Sequence, residues 1–369
     1  MNRVTVRPVV SRNDLKAFIR LPHELYARDS NWVSPLDSDV TEALSPVKNP
    51  FFAHAERELF LAELDDRVVG RVAAIIDRSY VEYHKESIGY FGFFEVAEDY
   101  DVARALFDQV RTWLGSRGMK KLRGPANPSL NDEAGMLLEG FDSPPKVKMT
   151  YNPPFYVEFC DRYGMTKAKD LFAYISPVPE KPPEKLTRVM ERLKQRAKLV
   201  VRHINLGNLK RDLKLVKEVY NDAWSNNWNF APMTEAEIDD LARKLRPLAV
   251  PEIVPFVEVD GEVAGVAISL PDYNQLLKPM NGRLNVFKFL LNRNKIDAMR
   301  LWALGVKYKY HKLGLDALLY YETLKGAQKK GYKWVEVSWI LEDNVSIIRP
   351  IMMWECRLYK KYRVFEMAV

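Results

Sequence analysis

Cysteine is scarce: Cys160 and Cys356 are the only two in 369 residues. They lie far apart and lack metal-ligand spacing, which excludes a disulfide framework and a zinc site and leaves two buried thiols with no metal expected. Long apolar runs are missing too. No stretch reaches the roughly eighteen apolar residues of a membrane-spanning helix, and the opening MNRVTVRPVVSRNDL has no apolar signal-peptide centre, so a cytoplasmic protein is expected. Basic residues interleaved with aromatics in a nucleic-acid-reading motif are also absent. The formal net charge of +7 therefore implies at most a weak, salt-sensitive association with nucleic acid, which is not an expected partner.

What is present is ample core material: 47% of residues are hydrophobic and 12% aromatic, in a chain long enough for two ordinary domains. Lysine and arginine concentrate in 181–217 and 278–312, while 95–101 (EVAEDYD) is acidic. The first basic cluster reads as a solvated helix face.

The chain carries an internal duplication. AELDDRVVGRVAAI, from Ala62, matches VEVDGEVAGVAIS, from Val257, pairing Glu63 with Glu258, Asp65 with Asp260, Val68 with Val263 and Gly70 with Gly265. Each copy alternates on both sides of a tight polar turn, the pattern of a β-hairpin. A second pair follows in the same order: FDQVRTWLGSRGMKKLRG and YETLKGAQKKGYKWVEVSW both read as a helix closed by glycine and followed by a strand, with Gly118 matching Gly331. The offset grows from 195 to 213 between the two matches, so the second copy should hold about one extra helix. PDYNQLLKPMNGRLNVFKFLLNRNKI, 271–296, is that insertion.

Each copy then reads strand, one or two helices, hairpin, strand, helix, strand, final helix and closing strand. This predicts an α/β (α+β) protein of two mixed-sheet domains in tandem. The proline-rich, charged SPVPEKPPEKL, 176–186, reads as exposed linker. The expected division is 1–176 for a first domain lacking a cofactor loop, 177–197 for linker and connecting helix, and 198–369 for a second domain with a cofactor site.

YHKLGLDALLY, 310–320, follows an apolar strand and opens a helix. A helix N-terminus presents unpaired N–H groups and about half a positive charge, so a glycine turn before it can hold a pyrophosphate. Lys307, Lys309 and Lys312 stand close enough in sequence to screen phosphates, while Asp316 in the first turn competes for the same amides. At an offset of 213 the first copy has Glu98, Asp99, Tyr100, Asp101, Val102 and Ala103 instead. Three carboxylates and no glycine repel a pyrophosphate by about 1 kcal/mol or more each, so one cofactor site is expected, in the second copy. The alternative is that GLDALLYYETL is only the apolar face of a core helix.

This element order, with its turn at the start of the long helix, resembles the GNAT acyltransferase fold, whose Q/R-x-x-G-x-G/A motif falls here on His311, Lys312, Leu313, Gly314, Leu315 and Asp316. Gly314 is the firm match. The phrases GPANPSLNDEAGMLLEGFDSPP with MTYNPPFY, NDAWSNNWNFAPMT and VSWILEDN are similar to a family of tandem GNAT-like bacterial acyl-CoA N-acyltransferases of ceramide-synthase type, and the resemblance spans nearly the whole chain. It implies acyl-CoA as co-substrate, bound by residues 311–316 with Asn344 on the pantetheine arm. It also implies oxyanion-holding backbone N–H groups at Leu304, Gly305 and Val306.

Acyl transfer to an amine also needs a base and a proton for the departing thiolate. Glu342 and Asp343 are the candidate catalytic carboxylates, their alternative being an ordinary strand-to-helix turn. The family's general-acid tyrosine, seven residues after the asparagine, is Ile351 here. Tyr359 and Tyr362 are the nearby substitutes, with packing as their alternative. Asn227 and Trp228, in the connection that covers the acceptor site in GNAT proteins, are candidate substrate contacts. Their alternative is a well-packed loop in which Trp224, Trp228 and Phe230 close the domain. Asn127, Asn131 and Asp132 of NPSLNDE, which the reading takes to the cleft between the copies, are further candidates, with local turn-building as their alternative. LNVFKFLLNRNK is apolar on one side and basic on another, as an interfacial helix is, which gives peripheral membrane contact as one reading; the alternative, and the default, is core packing of an inserted helix. The resulting expectation is an acyl-CoA-dependent N-acyltransferase acting on a small-molecule or lipid amine. The alternative is a catalytically inactive GNAT-like protein that binds a ligand or partner.

Overall fold

The computed structural model describes residues 4–182, 184–196, 199–352 and 356–369. In chain order the first part forms β1 (Thr5–Pro8), α1 (Arg12–Leu25), α2 (Asp37–Ala43), β2 (Ala55–Leu64), β3 (Arg67–Asp77), α3 (Arg78–His84), β4 (Ile88–Val96), α4 (Tyr100–Gly115), β5 (Lys121–Gly124), β6 (Met136–Glu139), α5 (Phe155–Arg162) and β7 (Thr166–Pro177). There follow α6 (Glu184–Arg196), β8 (Leu199–His203), α7 (Leu209–Ala223), α8 (Glu235–Leu245), β9 (Pro255–Val259), β10 (Glu262–Pro271), α9 (Asn274–Leu277) and α10 (Val286–Asn292). The chain closes with β11 (Ala298–Val306), α11 (Leu315–Lys330), β12 (Trp334–Leu341), α12 (Val345–Met352) and β13 (Arg357–Ala368).

Two compact units result. The first comprises the chain up to Leu171, Leu276–Phe289 and Lys360–Val369; the second comprises Phe172–Gln275 and Leu290–Tyr359. In the first, β1 through β4 are antiparallel neighbours and β5 joins β4 in parallel. In the second, β8 through β11 repeat the antiparallel run and β12 joins β11 in parallel. Both expected hairpins are present with the same turn chemistry: Asp65 and Asp66 have φ of 49° and 60°, and Asp260 and Gly261 have 50° and 83°. Positive φ at both central residues matches the right-handed twist of the flanking strands.

The duplication extends to irregularities. The β3–β4 ladder slips between Arg71 and Ala73, and the β10–β11 ladder slips between Ile268 and Ser269, next to Trp302. Helices α4 and α11 are each 16 residues long. In the first core, Val102, Leu106, Phe107 and Val110 of α4 pack with Val72, Ala74, Phe91 and Phe94 of the sheet. In the second, Leu315, Leu318 and Leu319 of α11 pack with Val257, Ala264, Ala267 and Leu301. The seven-residue α3 joins β3 to β4, whereas the corresponding link from β10 to β11 carries both α9 and α10, the extra helical sequence that the offsets require.

The closing strands depart from a reading by periodicity, which ends each half with its own last strand. The final residues of the chain belong to the first unit, where Phe365 pairs with Gly124 and Ala368 with Lys121 in an antiparallel ladder. Arg123 fastens this ladder through its guanidinium to Glu366 Oε2 at 2.8 Å. Phe172–Pro177 of β7, from the first half of the sequence, belong to the second unit, where β7 neighbours β12. Among the described residues no helix is long and apolar enough to cross a membrane.

Candidate active site

The candidate site of the second unit lies at the carboxyl ends of two parallel strands, the edge at which α/β sheets commonly bind ligands. The β11–β12 ladder runs from Ala298–Trp334 to Leu301–Val337. Leu304, Gly305 and Val306 lie past its end, paired on one edge with Ala267, Val266 and Gly265 of β10. Their other edge is therefore beyond the β12 ladder, where backbone groups can meet a ligand.

Past Val306 the chain makes a 3-10 turn over Tyr308–Leu313 and reaches Gly314 at φ 69° and ψ 26°, the N-cap of α11. A Cβ built at Gly314 meets nothing within 4 Å. Glycine is needed here for its left-handed backbone, and the space beside it is open. His311 closes the turn by donating from Nε2 to Val306 O at 2.9 Å. Lys312 is exposed and makes no hydrogen bond or ion pair among the described residues, and Leu313 is exposed beside it. Leu315 is buried in the core, so within the 311–316 stretch its side chain is closed to a ligand. Asp316 lies one turn before the buried Tyr320; burial, then the Asp316 charge, raises that phenol's pKa above its ordinary range.

Two of the three lysines expected to screen phosphate are engaged elsewhere. Lys307 Nζ donates to Glu262 Oε1 at 3.0 Å and Lys309 Nζ to Glu262 Oε2 at 2.6 Å. Lys309, then Lys307, holds the Glu262 carboxyl down at about 2. The sequence pattern could not show this, because Glu262 stands 45 residues before Lys307.

The connection after α7 closes over the end of β11. Trp224 lies flush on Gly305: a Cβ there would sit 2.3 Å from Trp224 Cζ3. Tyr220 stacks on Trp224 with centroids 5.3 Å apart, and Asp222 Oδ1 accepts from Tyr308 N at 2.6 Å. Asn227 N donates to Trp224 O at 2.8 Å, which ties the turn carrying Asn227 and Trp228 to that tryptophan. Glu342, Asp343 and Asn344 form the turn after β12. Asn344 N bonds Leu341 O at 2.9 Å, and Ile347 N and Ile348 N bond Asn344 O, so Asn344 heads α12 through its backbone. Because β11 and β12 are parallel, this turn and the Gly314 turn leave the sheet at the same edge. Ile351, at the position of the expected tyrosine, is 2% exposed.

A buried polar network lies just before the point where the ladder ends, and pattern reading missed it. Arg300 and Glu336 face each other across β11 and β12, both fully buried, with Nε 3.6 Å from Oε1. Ser338 Oγ accepts from Arg300 Nε at 2.9 Å and donates to Glu336 Oε1 at 2.6 Å, while Tyr359 donates to Glu336 Oε2. Tyr359 therefore serves this carboxylate. Tyr362 is fully buried in the first unit, its Cβ 3.2 Å from the Cβ position of Gly135. The available signal was one charge inside each of two apolar strand runs, MRLWALGV and WVEVSWIL.

In the first unit the corresponding helix start is closed. Asp99 is the N-cap of α4 and its side chain accepts from Asp101 N at 2.9 Å. The N-caps Asp99 and Gly314 place the two loops in register two residues away from the alignment on the glycines, and the first copy still presents Glu98, Asp99 and Asp101. Asn127 Oδ1 accepts from Phe93 N at 2.6 Å, Asn131 N donates to Ser129 Oγ at 3.2 Å, and Ser129 Oγ donates to Asp132 Oδ2 at 2.7 Å. Asn131 and Asp132 thus build a turn around Ser129, while Asn127 is tied to β4 at Phe93. Nearby β4 ends on a second, half-buried carboxylate: Tyr26 and Tyr156 donate to Glu95 Oε2 at 2.7 and 2.9 Å, and desolvation raises the Glu95 pKa.

A parallel strand pair followed by a glycine turn into a long helix, present once in full and once with its loop replaced, defines a tandem GNAT-like acyltransferase fold. No protein-family model matches the chain. Among solved structures it is similar to a tandem GNAT protein from the clavulanic acid biosynthesis pathway, 12% identical, covering 99% of this chain and 98% of that one, with a TM-score of 0.58. It is likewise similar to a GCN5-related N-acetyltransferase from Sphaerobacter thermophilus, 11% identical, covering 100% and 96%, with a TM-score of 0.57. Among curated proteins it is 37% identical over 376 residues to the bacterial ceramide synthase of Caulobacter vibrioides (strain NA1000 / CB15N), covering 99% of this chain and 98% of that protein. It is 32% identical over 381 residues to protein YghO of Escherichia coli (strain K12), covering 99% and 95%. The chain belongs to the bacterial ceramide synthase family, with tandem GNAT-like architecture.

Proposed function

We propose that this protein is an acyl-CoA-dependent N-acyltransferase with one donor site, in the second unit, and an amine of lipid type as acceptor. The observation that carries this reading is the end of the β11–β12 ladder at Leu301 and Val337, followed by Gly314 in the left-handed conformation at the head of α11. That arrangement offers a strand edge for a thioester arm and helix amides for a pyrophosphate. The open space at Gly314 and Lys312, unpaired among the described residues, fit an anionic group there. The lipid-type acceptor is supported by the ceramide synthase among the relatives.

In this mechanism the amine nitrogen attacks the thioester carbonyl, and backbone N–H groups among Leu304, Gly305 and Val306 stabilise the oxyanion. The C–N bond forms and the C–S bond breaks. The amine proton passes to a carboxylate, for which Glu342 and Asp343 stand at the end of β12, and the thiolate takes a proton from water. Asn344 is assigned to the pantetheine arm and Asn227 and Trp228 to the acceptor. Trp224 packed on Gly305 supports that assignment by bringing their turn to the end of β11.

Ile351, buried where a tyrosine acid is expected, favours a second reading: a GNAT-like protein that binds acyl-CoA without turning it over. Calorimetric titration with coenzyme A, acetyl-CoA and a long-chain acyl-CoA, followed by a thiol-release assay with a long-chain amino alcohol, separates the two. Binding at one site per chain, tightest for the long chain, with amine-dependent thiol release is the expected result. Binding without release selects the second reading, and no binding of any of the three removes both.

A further inference from the structure

The inserted segment between β10 and β11 presents the densest exposed apolar surface among the described residues. Leu284, Val286, Phe287, Leu290 and Leu291 are 48%, 58%, 72%, 54% and 64% exposed, whereas the other large exposed hydrophobics are scattered along the chain. Four of the five lie on α10, so their mutual placement is set by one short helix. At about 100° per residue, Val286, Leu290, Phe287 and Leu291 span an arc of about 140°, with Lys288 and Asn292 beyond its edge. Phe289, half-buried, points the remaining side toward the protein. The segment's near end is held in the first unit, where Gly282 O accepts from Asp37 N at 3.0 Å and Asn281 Oδ1 lies 3.1 Å from His23 Nδ1.

Charge supplies an independent observation. From Tyr273 to Ile296 the chain carries Lys278, Arg283, Lys288, Arg293 and Lys295 and no acidic residue. All five are exposed, and Lys278, Arg283 and Lys295 make no ion pair among the described residues. An apolar face bordered by cations is the composition of a helix lying in the headgroup region of an anionic bilayer. A second copy of the chain fits less well, because a two-fold contact sets a patch against itself and would bring these cations together.

We infer that α10 and its flanks, Leu284–Lys295, form a peripheral membrane-docking surface: Val286, Phe287, Leu290 and Leu291 enter the interface of an anionic phospholipid bilayer while Arg283, Lys288, Arg293 and Lys295 meet its headgroups. This inference does not rest on the acyl-transfer reading, and no acyl-CoA enters its test.

The test is co-sedimentation of the full chain with vesicles of phosphatidylglycerol and phosphatidylcholine, and with vesicles of phosphatidylcholine alone. Wild type is expected to bind the anionic vesicles more tightly than the neutral ones. Phe287→Glu combined with Leu291→Glu is expected to weaken binding to the anionic vesicles by about tenfold or more. Arg283→Gln and Arg293→Gln are each expected to weaken it by about fivefold while leaving the neutral vesicles unaffected. All these positions are exposed, so unchanged circular dichroism is expected throughout. A wild type that stays in the supernatant with both vesicles overturns the inference, as does a Phe287→Glu, Leu291→Glu variant that sediments like wild type. Self-association without vesicle binding, abolished by the same pair of changes, also overturns it and assigns the face to a second copy.

Discussion

Gly314 separates backbone from charge more cleanly than any other residue of the candidate site. Its φ of 69° lies in the left-handed region, where a residue with a side chain loses about 1–2 kcal/mol, asparagine less. Because a Cβ there meets nothing within 4 Å, no steric cost is added. Gly314→Ala and Gly314→Glu should therefore lose the same stability, about 1–2 kcal/mol, in urea unfolding followed by circular dichroism, and Gly314→Asn should lose less. Affinity should divide them differently. A carboxylate about 4–8 Å from a pyrophosphate charge, at an effective dielectric of about 20, is worth about 2–4 kcal/mol of repulsion, or about 30- to 1,000-fold in affinity. The lower end applies because the loop is exposed and screened by salt. Calorimetry with coenzyme A should then show Gly314→Glu at least about 30-fold weaker than Gly314→Ala. Asp101→Ala, in the first turn of α4, should bind like wild type. Equal affinity of the Ala and Glu variants would refute the placement of the pyrophosphate at this turn.

The buried Arg300–Glu336 pair should be costly to break and cheap to replace: Arg300→Met alone should lose about 3–5 kcal/mol in urea unfolding, and Arg300→Met with Glu336→Leu much less. Equal losses would mean that the two charges do not compensate each other. Glu262, held at about 2 by Lys309 and Lys307, contributes stability that is present above the ordinary carboxylate range and lost as pH falls toward 2; its carboxyl-carbon titration by NMR should have its midpoint near 2. A midpoint near the ordinary value of about 4.3 would remove those ion pairs from the solution structure. Glu95, raised by desolvation, works in the opposite sense: wild type should lose stability relative to Glu95→Gln as pH rises past about 4.3, and a pH-independent difference would contradict that placement. Gly326→Ala, whose Cβ would sit 1.9 Å from Glu252 O, should cost about 1–3 kcal/mol by forcing α11 off the segment before β9.

The sequence by itself determined whatever depends on near neighbours along the chain. Positive-φ turns at Asp65–Asp66 and Asp260–Gly261, glycine after each long helix at Gly118 and Gly331, and the amphipathic period of α4 are local chemistry, so the duplication and the Gly314 turn were legible in one sequence. The two-residue difference in loop register arose because glycine stops mark where a helix ends, whereas the caps Asp99 and Gly314 mark where it begins. Only the tertiary structure decided the long-range pairings. Periodicity gives a strand its two faces but not its neighbour, so nothing in RLYKKYRVFEMA says that Phe365 will lie beside Gly124. The same limit hid the pairing of Arg300 with Glu336, the capture of Lys307 and Lys309 by Glu262, and the seat of Trp224 on Gly305. Each joins residues more than thirty positions apart, and such contacts form because folding closes the intervening chain, not because either residue specifies the other.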